Sequence, residues 1–376
     1  MRSPPVSVVD AAAAEQRTTP AELFWDLVFV FAVTQVTTLL YKELSWAGFG
    51  RAMLVLTLVW WAWSGFVWAT NDLDPNDLRV RGVLFVAMIL TFIVALSLPT
   101  AFKAEATVFA LAYAGVRFLH LGLYVESSRR GNASVAAMVG FAVTVAAGMT
   151  LLVVGSLVGD AARIWLWVVA AAIDYAGPAW LTRERLRGIQ QVAVSHFAER
   201  YSLFIIICLG ESIIAIGVGA AHRDLNTELA AGVTLALLVT IGLWSAYFDR
   251  VAAEAEDKLA EHKEPVLAAA DAYSYLHLVL VTGIIVSAIG LKASVGHAGQ
   301  PLSEGARLAL CGGVAIYLGG HIAFGLRLVG EFSVAKALAA GACLTVFIVA
   351  AESPAWATVG LVAGVLALLV ACEHRR

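Results

Sequence analysis

Apolar runs of about twenty residues recur from one end of this chain to the other, each long enough to cross a bilayer as a helix. Bounded by charges, Gly, Pro or Asn, they fall near residues 20–41, 51–70, 80–98, 104–125, 135–157, 162–181, 196–220, 227–249, 271–293, 304–326, 333–350 and 355–372. In lipid every backbone N–H and C=O must be satisfied within the protein, so only helices and closed barrels span. The runs are continuous rather than alternating, which excludes a barrel. The sequence therefore predicts an all-α fold, a polytopic membrane helix bundle of about twelve transmembrane helices. Composition agrees, because only 14% of the 376 residues are charged, against about 25% in a soluble domain. Soluble enzymes, secreted disulfide scaffolds and DNA-binding domains are excluded.

The net charge of −3 leaves no basic footprint for nucleic acid. Cys208, Cys311, Cys343 and Cys372 all lie inside apolar runs and read as small buried hydrophobes. No Walker loop, HExxH or GxSxG is present, no cleavable signal peptide is visible, and no cofactor is expected. No ligand spacing among the carboxylates and histidines is tight enough to assign a metal.

Orientation follows from the Lys and Arg in the connections. With the N-terminus placed inside, 17 of the 25 basic residues fall in cytoplasmic segments and 7 in outer ones, with Arg117 inside a helix. Both termini are expected in the cytoplasm. The halves also resemble each other. Glu22 precedes Thr34 and Gln35 at the spacings by which Glu199 precedes Glu211 and Ser212. Trp63-Ser64-Gly65-Phe66 matches Trp244-Ser245-Ala246-Tyr247, and Tyr113-x-Gly115-x-Arg117 matches Tyr317-x-Gly319-x-His321. The expected organisation is a cytoplasmic tail (1–19), a first six-helix half (20–181), a cytoplasmic connecting loop (182–195), a second half (196–372) and a short cytoplasmic tail (373–376). Six helices per half make the repeats parallel, a plan of secondary transporters with the site at the repeat interface.

Ionisable residues inside such helices are costly and are the first candidates for function. Thr19-Pro20-Ala21-Glu22 reads as a capping box with Pro in the first turn. Asp26 lies one turn beyond Glu22, where nothing local needs it. His196, Glu199 and Arg200 share a helix face by spacing, with Arg200 placed to neutralise Glu199. Glu211, in Gly210-Glu211-Ser212, sits near the centre of its run, where a carboxylate must be neutral, paired or open to water. Arg117 and His120 share a face, Asp174 precedes Pro178 by four residues, and His277 and His321 are isolated. Most of these fall in the cytoplasmic half, so a polar cavity opening to the cytoplasm is expected.

The helix Glu22-Leu23-Phe24-Trp25-Asp26-Leu27-Val28-Phe29-Val30-Phe31-Ala32 resembles the E-L-F-F-D-L-x-F-V-F-A signature of the bacterial low temperature requirement protein A (LtrA) family. Trp25 replaces the second Phe and leaves both carboxylates in place. Glu199-Arg200-Tyr201-Ser202-Leu203-Phe204 followed by Leu209-Gly210-Glu211-Ser212 is similar to the family's second motif, and Asp174 ahead of Gly177-Pro178 also fits. The resemblance implies a multi-spanning protein of the bacterial inner membrane and no particular chemistry.

The leading functional reading is a proton-coupled secondary transporter. Glu211 would be the protonation switch, with Asp26, Glu199 and Arg200 on substrate or in proton relay; Glu22, His196, Asp174, Arg117, His120 and His277 complete the candidate set. The alternatives are an intramembrane enzyme using the Asp/Glu/His group on a lipidic substrate, and an ion channel. Expected partners are membrane lipids and a small substrate or ion, protons among them; the fold leaves room for a homo-oligomer.

Overall fold

The computed structural model describes residues 18–130, 135–177, 193–221 and 223–375. The predicted tail up to residue 17, Pro178 and most of the 182–195 loop lie outside the described residues. Within them the chain is helical, with no strand. In order the helices are α1 (Pro20–Lys42), α2 (Trp46–Asp72), α3 (Leu78–Ser97), α4 (Ala106–Arg130), α5 (Val135–Ser156), α6 (Asp160–Ala176), α7 (Val194–Ala220), α8 (Thr227–Phe248), α9 (Val251–Ala260), α10 (Pro265–Gly296), α11 (Glu304–Leu328), α12 (Val334–Val349) and α13 (Ala355–Glu373). Among the described residues ten helices are long and apolar enough to cross a membrane. Every predicted run carries a helix, but α6 with 17 residues and α12 with 16 are shorter.

Polar side chains set the helix starts. Thr19 caps α1 and Glu22 reaches back to the Thr19 amide, the capping box read from sequence, with Pro20 in the first turn. Ser45, Asp77, Asn226, Ser303 and Ser333 cap α2, α3, α8, α11 and α12. Along the helices apolar residues point both inward and outward: Phe29 and Trp63 are fully buried, whereas Leu27, Ile89, Leu338 and Leu368 are 59–70% exposed. An outer surface this apolar suits lipid rather than water.

The packing order repeats. Helix α1 packs on α2 and α3, α3 on α4, α4 on α5, α5 on α6, and α6 back on α2. Likewise α7 packs on α8 and α10, α10 on α11, α11 on α12, α12 on α13, and α13 back on α8. The two sets meet where α1 and α2 face α7 and α10. The tightest seam is between α10 and α11. A Cβ added at Gly283 would fall 2.5 Å from the Tyr317 amide nitrogen, and one at Gly290 would fall 2.5 Å from Leu310 Cβ. Gly313 and Gly320 face α10 in the same way, through Ser287 and Leu280. In the sequence pairs Gly312-Gly313 and Gly319-Gly320, only the second glycine of each meets α10. Gly312 and Gly319, one residue earlier and about 100° away around the helix, do not meet α10.

Two local features depart from the sequence reading. The segment Arg250–Pro265, which falls between the apolar runs 227–249 and 271–293, contains α9, whose Ala255 and Leu259 are buried one turn apart. Helix α10 starts earlier than predicted, at Pro265, and passes through a π-helical stretch at Ala270–Leu276.

Candidate functional site

The ionisable residues collect where the two sets of helices meet. Helices α1 and α7 run parallel there, because their contacts advance together: Glu22 meets Arg200, Phe29 meets Phe204 and Thr34 meets Glu211. At one end Arg200 joins both α1 carboxylates. Its Nη1 lies 2.6 Å from Glu22 Oε1 and its Nη2 lies 2.7 Å from Asp26 Oδ1, while Nε donates to Asp26 Oδ2 at 3.2 Å. Trp63 of α2 donates its indole N–H to Asp26 Oδ1 at 2.8 Å. His196 Nε2 lies 3.2 Å from the Glu22 carboxylate, which also accepts from the Thr19 amide and hydroxyl. All four ionisable side chains are buried. Two carboxylates against one guanidinium, with an indole and a hydroxyl supplying donors, is the arrangement that lets charge persist away from water.

This geometry corrects one pairing. Arg200 does not neutralise Glu199. Consecutive helical residues lie about 100° apart, so Arg200 follows His196 into the core while Glu199 turns to the exposed edge. There Glu199 accepts from the Thr18 amide at 3.0 Å and the Thr18 hydroxyl at 2.8 Å. The expected cytoplasm-facing cavity also takes a different form, since the Glu22, Asp26, His196 and Arg200 side chains are packed against one another.

Three turns beyond Arg200, Glu211 is buried with its Oε2 only 2.5 Å from the Thr34 hydroxyl of α1. That hydroxyl also lies 3.0 Å from its own helix carbonyl at Val30. Thr37 and the charge of Lys292 on α10 complete the surroundings of the carboxylate. The Lys292 ammonium stands 4.1 Å over the Tyr41 ring. Lys292 is absent from the sequence-derived candidate set because its position near the end of a run makes it look like a loop charge.

A second ionic group lies wholly within the first half. Arg117 of α4 grips Asp174 of α6 with two parallel bonds, Nε to Oδ2 at 2.8 Å and Nη2 to Oδ1 at 2.7 Å. Its Nη1 lies 2.8 Å from His120 Nδ1. Gly65 leaves room for these groups, since a Cβ there would fall 2.9 Å from the His120 ring. The sequence singles out all three residues, and the structure joins them.

Between the groups runs a chain of hydroxyls that sequence reasoning passes over. Tyr201, Ser64 and Ser274 lie within 2.6–3.1 Å of one another. Trp68 donates to the Ser274 hydroxyl at 2.8 Å, and Trp60 donates to the Ser274 carbonyl at 2.7 Å. The π-helical stretch of α10 presents Ser274 here. Farther along α10, His277 Nε2 lies 2.9 Å from the Tyr247 hydroxyl and Nδ1 lies 3.1 Å from the Ala272 carbonyl. His277 is thus a hydrogen-bonded packing residue. Among the described residues no group of three or more His, Cys, Asp or Glu is placed to hold a metal ion.

The two motifs that suggested a family thus occupy one place, with the α1 motif lying along the α7 motif. Residues 17–371 match the family described as Bacterial low temperature requirement A protein (LtrA). The chain belongs to the LtrA family. It is also 33% identical over 307 residues to the Uncharacterized protein RA0937 of Rhizobium meliloti (strain 1021), covering 80% of this chain and 75% of that one. No solved structure matches. An LtrA protein of this kind is a membrane protein of many apolar helices, with both family motifs at the junction of its two helix sets.

Proposed function

We propose that this LtrA protein is a proton-coupled secondary transporter of the bacterial inner membrane, with twelve spans in two parallel six-helix repeats and both termini in the cytoplasm. The observation that carries the reading is the contact between Glu211 and Thr34. A threonine hydroxyl holds a single proton. When Thr34 donates to Glu211, the carboxylate is served in its charged form. When Thr34 donates to the Val30 carbonyl, a protonated Glu211 donates to Thr34 Oγ. The same heavy-atom positions therefore accept both protonation states, as a site that loads and releases a proton requires.

The duplication has structural support. The packing order of α1–α6 recurs in α7, α8 and α10–α13. Tyr113 donates to the Leu58 carbonyl at 2.9 Å, and Tyr317 donates to the Leu243 carbonyl at 2.8 Å. Thr34 and Glu211, matched positions in the two halves, touch each other, as residues on a pseudo-two-fold axis do. In this reading the halves rock about the α1–α7 contact, and the Glu22–Asp26–Arg200 group is remade with substrate bound. Arg117, His120, Asp174 and His277 hold each half together, and Glu199 stands at the edge of the site. Lipids surround the bundle, and the substrate is a small solute moved with protons.

The test is proton movement into dye-loaded proteoliposomes on addition of amines, amino acids, sugars or organic anions. At least one class should dissipate a pH gradient with wild type, and Glu211→Gln should reduce that flux at least tenfold. Absence of flux with every class, or an unchanged Glu211→Gln, overturns the reading. For topology, a cysteine in place of Glu261, in a Cys372→Ser background, should resist an impermeant label applied outside intact cells.

A further inference from the structure

Outside the α1–α7 junction, a buried polar side chain without a hydrogen-bond partner stands open to a cavity. His321 of α11 is 3% exposed, and neither of its ring nitrogens has a hydrogen-bond partner. The ring is held by aromatic contacts instead, at 4.5 Å and 82° to Tyr317 and at 5.9 Å to Tyr247. It borders a cavity of about 230 Å³ between α9, α11, α12 and α13. That is room for about eight waters at the ~30 Å³ each takes in the liquid, or for one small organic molecule.

The first half shows what such a position holds when filled from within. Arg117 follows by four residues a tyrosine whose hydroxyl donates to a carbonyl of the second helix, Tyr113 to Leu58. His321 follows by four residues the tyrosine that does the same in the second half, Tyr317 to Leu243. Arg117 extends a guanidinium from its position to Asp174 and His120. His321 is shorter, ends in unpaired nitrogens, and leaves space beyond them.

The remaining lining indicates what fits there. Lys336 is already 2.9 Å from Glu373 Oε1, and Arg250 donates to the Glu373 backbone carbonyl at 3.2 Å. Glu254 and Glu331, also at the cavity, carry no ion-pair partner among the described residues. Phe324 and Phe332 offer ring faces. Unpaired carboxylates, an imidazole whose ring nitrogens have no partner and aromatic faces together suit a cation with several N–H donors.

We propose that this cavity binds a small organic cation, a guanidinium or primary ammonium, with a ring nitrogen of His321 accepting at its floor and Glu254 and Glu331 at its mouth. The cation comes either as a free amine or as the amine of a lipid headgroup. It does not depend on transport at the α1–α7 junction, and its test uses binding alone.

The probe is agmatine, titrated calorimetrically into the detergent-purified full-length protein, with citrate as the anionic control. Wild type should bind agmatine and ignore citrate. His321→Phe, which fills the cavity without a polar group, should weaken agmatine at least tenfold. Should that variant fold poorly, Glu254→Gln/Glu331→Gln at the mouth should weaken it several-fold. In nanodiscs, equal agmatine affinity with ethanolamine and glycerol headgroups assigns a free amine. Affinity lost only with ethanolamine headgroups assigns the lipid. No agmatine binding to wild type, preferential citrate binding, or agmatine affinity unchanged in His321→Phe overturns the proposal.

Discussion

Two buried arginines organise this molecule differently. Arg117 and its partners Asp174 and His120 all belong to the first helix set, and the guanidinium meets one carboxylate in a planar, two-bond grip. Arg200 belongs to the second set, and its charge partners belong to the first. It divides its donors between Glu22 and Asp26, with Thr70 a distant 3.5 Å away. The first arrangement is a clasp within one body. The second is a junction between two, and it shares its carboxylates with Trp63, His196 and Thr19. In the proposed transport cycle the Arg200 group can be remade, because Trp63, His196, Thr19 and Thr70 stand beside it as further partners.

Substitutions can break this contrast, the largest effect first. Asp174→Ala leaves Arg117 buried and unpaired, and should cost about 3–5 kcal/mol, read as a large drop in thermal midpoint or a loss of folded yield in detergent. The double variant Arg117→Met/Asp174→Leu should recover most of that loss, because an apolar pair of similar volume removes the stranded charge. Arg200→Met should also destabilise, by about 3 kcal/mol, but with flux abolished even in the fraction that folds. If Arg200→Met keeps wild-type flux, the junction is only a staple and the contrast collapses.

Trp63→Phe removes one donor from Asp26 and should cost about 1 kcal/mol, measured by the same unfolding assay. Thr34→Val should barely alter stability yet reduce proton-coupled flux several-fold, while Thr34→Ser retains it. Loss in both variants would point to packing at Thr34 rather than its hydroxyl. Glu199→Gln should stay within about 0.5 kcal/mol of wild type, since its bonds are to Thr18 on an exposed edge.

Much of this architecture is legible in the sequence because lipid makes each helix advertise itself. Every apolar run carries a helix, and the Thr19–Glu22 capping box forms as read. The candidates are legible for the same reason, since a charge inside an apolar run stands out. Their pairing is not. Asp174 lies 57 residues from Arg117, and Glu22 lies 178 from Arg200. Spacing along one helix instead favoured Arg200 with Glu199, a pairing that helical geometry turns apart. Lys292 was hidden by its place near a helix end. Hydroxyls such as Ser64 and Ser274 were hidden because a serine or threonine inside a membrane helix often bonds its own backbone, as Thr37 and Thr70 do here. Helix α9 was obscured by its charges, with only Ala255 and Leu259 marking an inward face.

The π-helical stretch of α10 has a consequence for how the halves are joined. Its wider hydrogen-bonded turn holds one residue more than an α-turn, so the helix before it is rotated about its axis relative to the helix after it. By that offset a single helix addresses two audiences. Ser274 is presented to Trp60, Ser64 and Trp68 of the first half, and three residues on His277 is presented to Tyr247 of the second. Helix α10 thus works as a splice rather than a wall, cut into both halves at once. Deleting one residue within Ala270–Leu276 would leave α10 long enough to span, yet turn the Ser274 side away from its partners and leave the halves joined through α1 and α7.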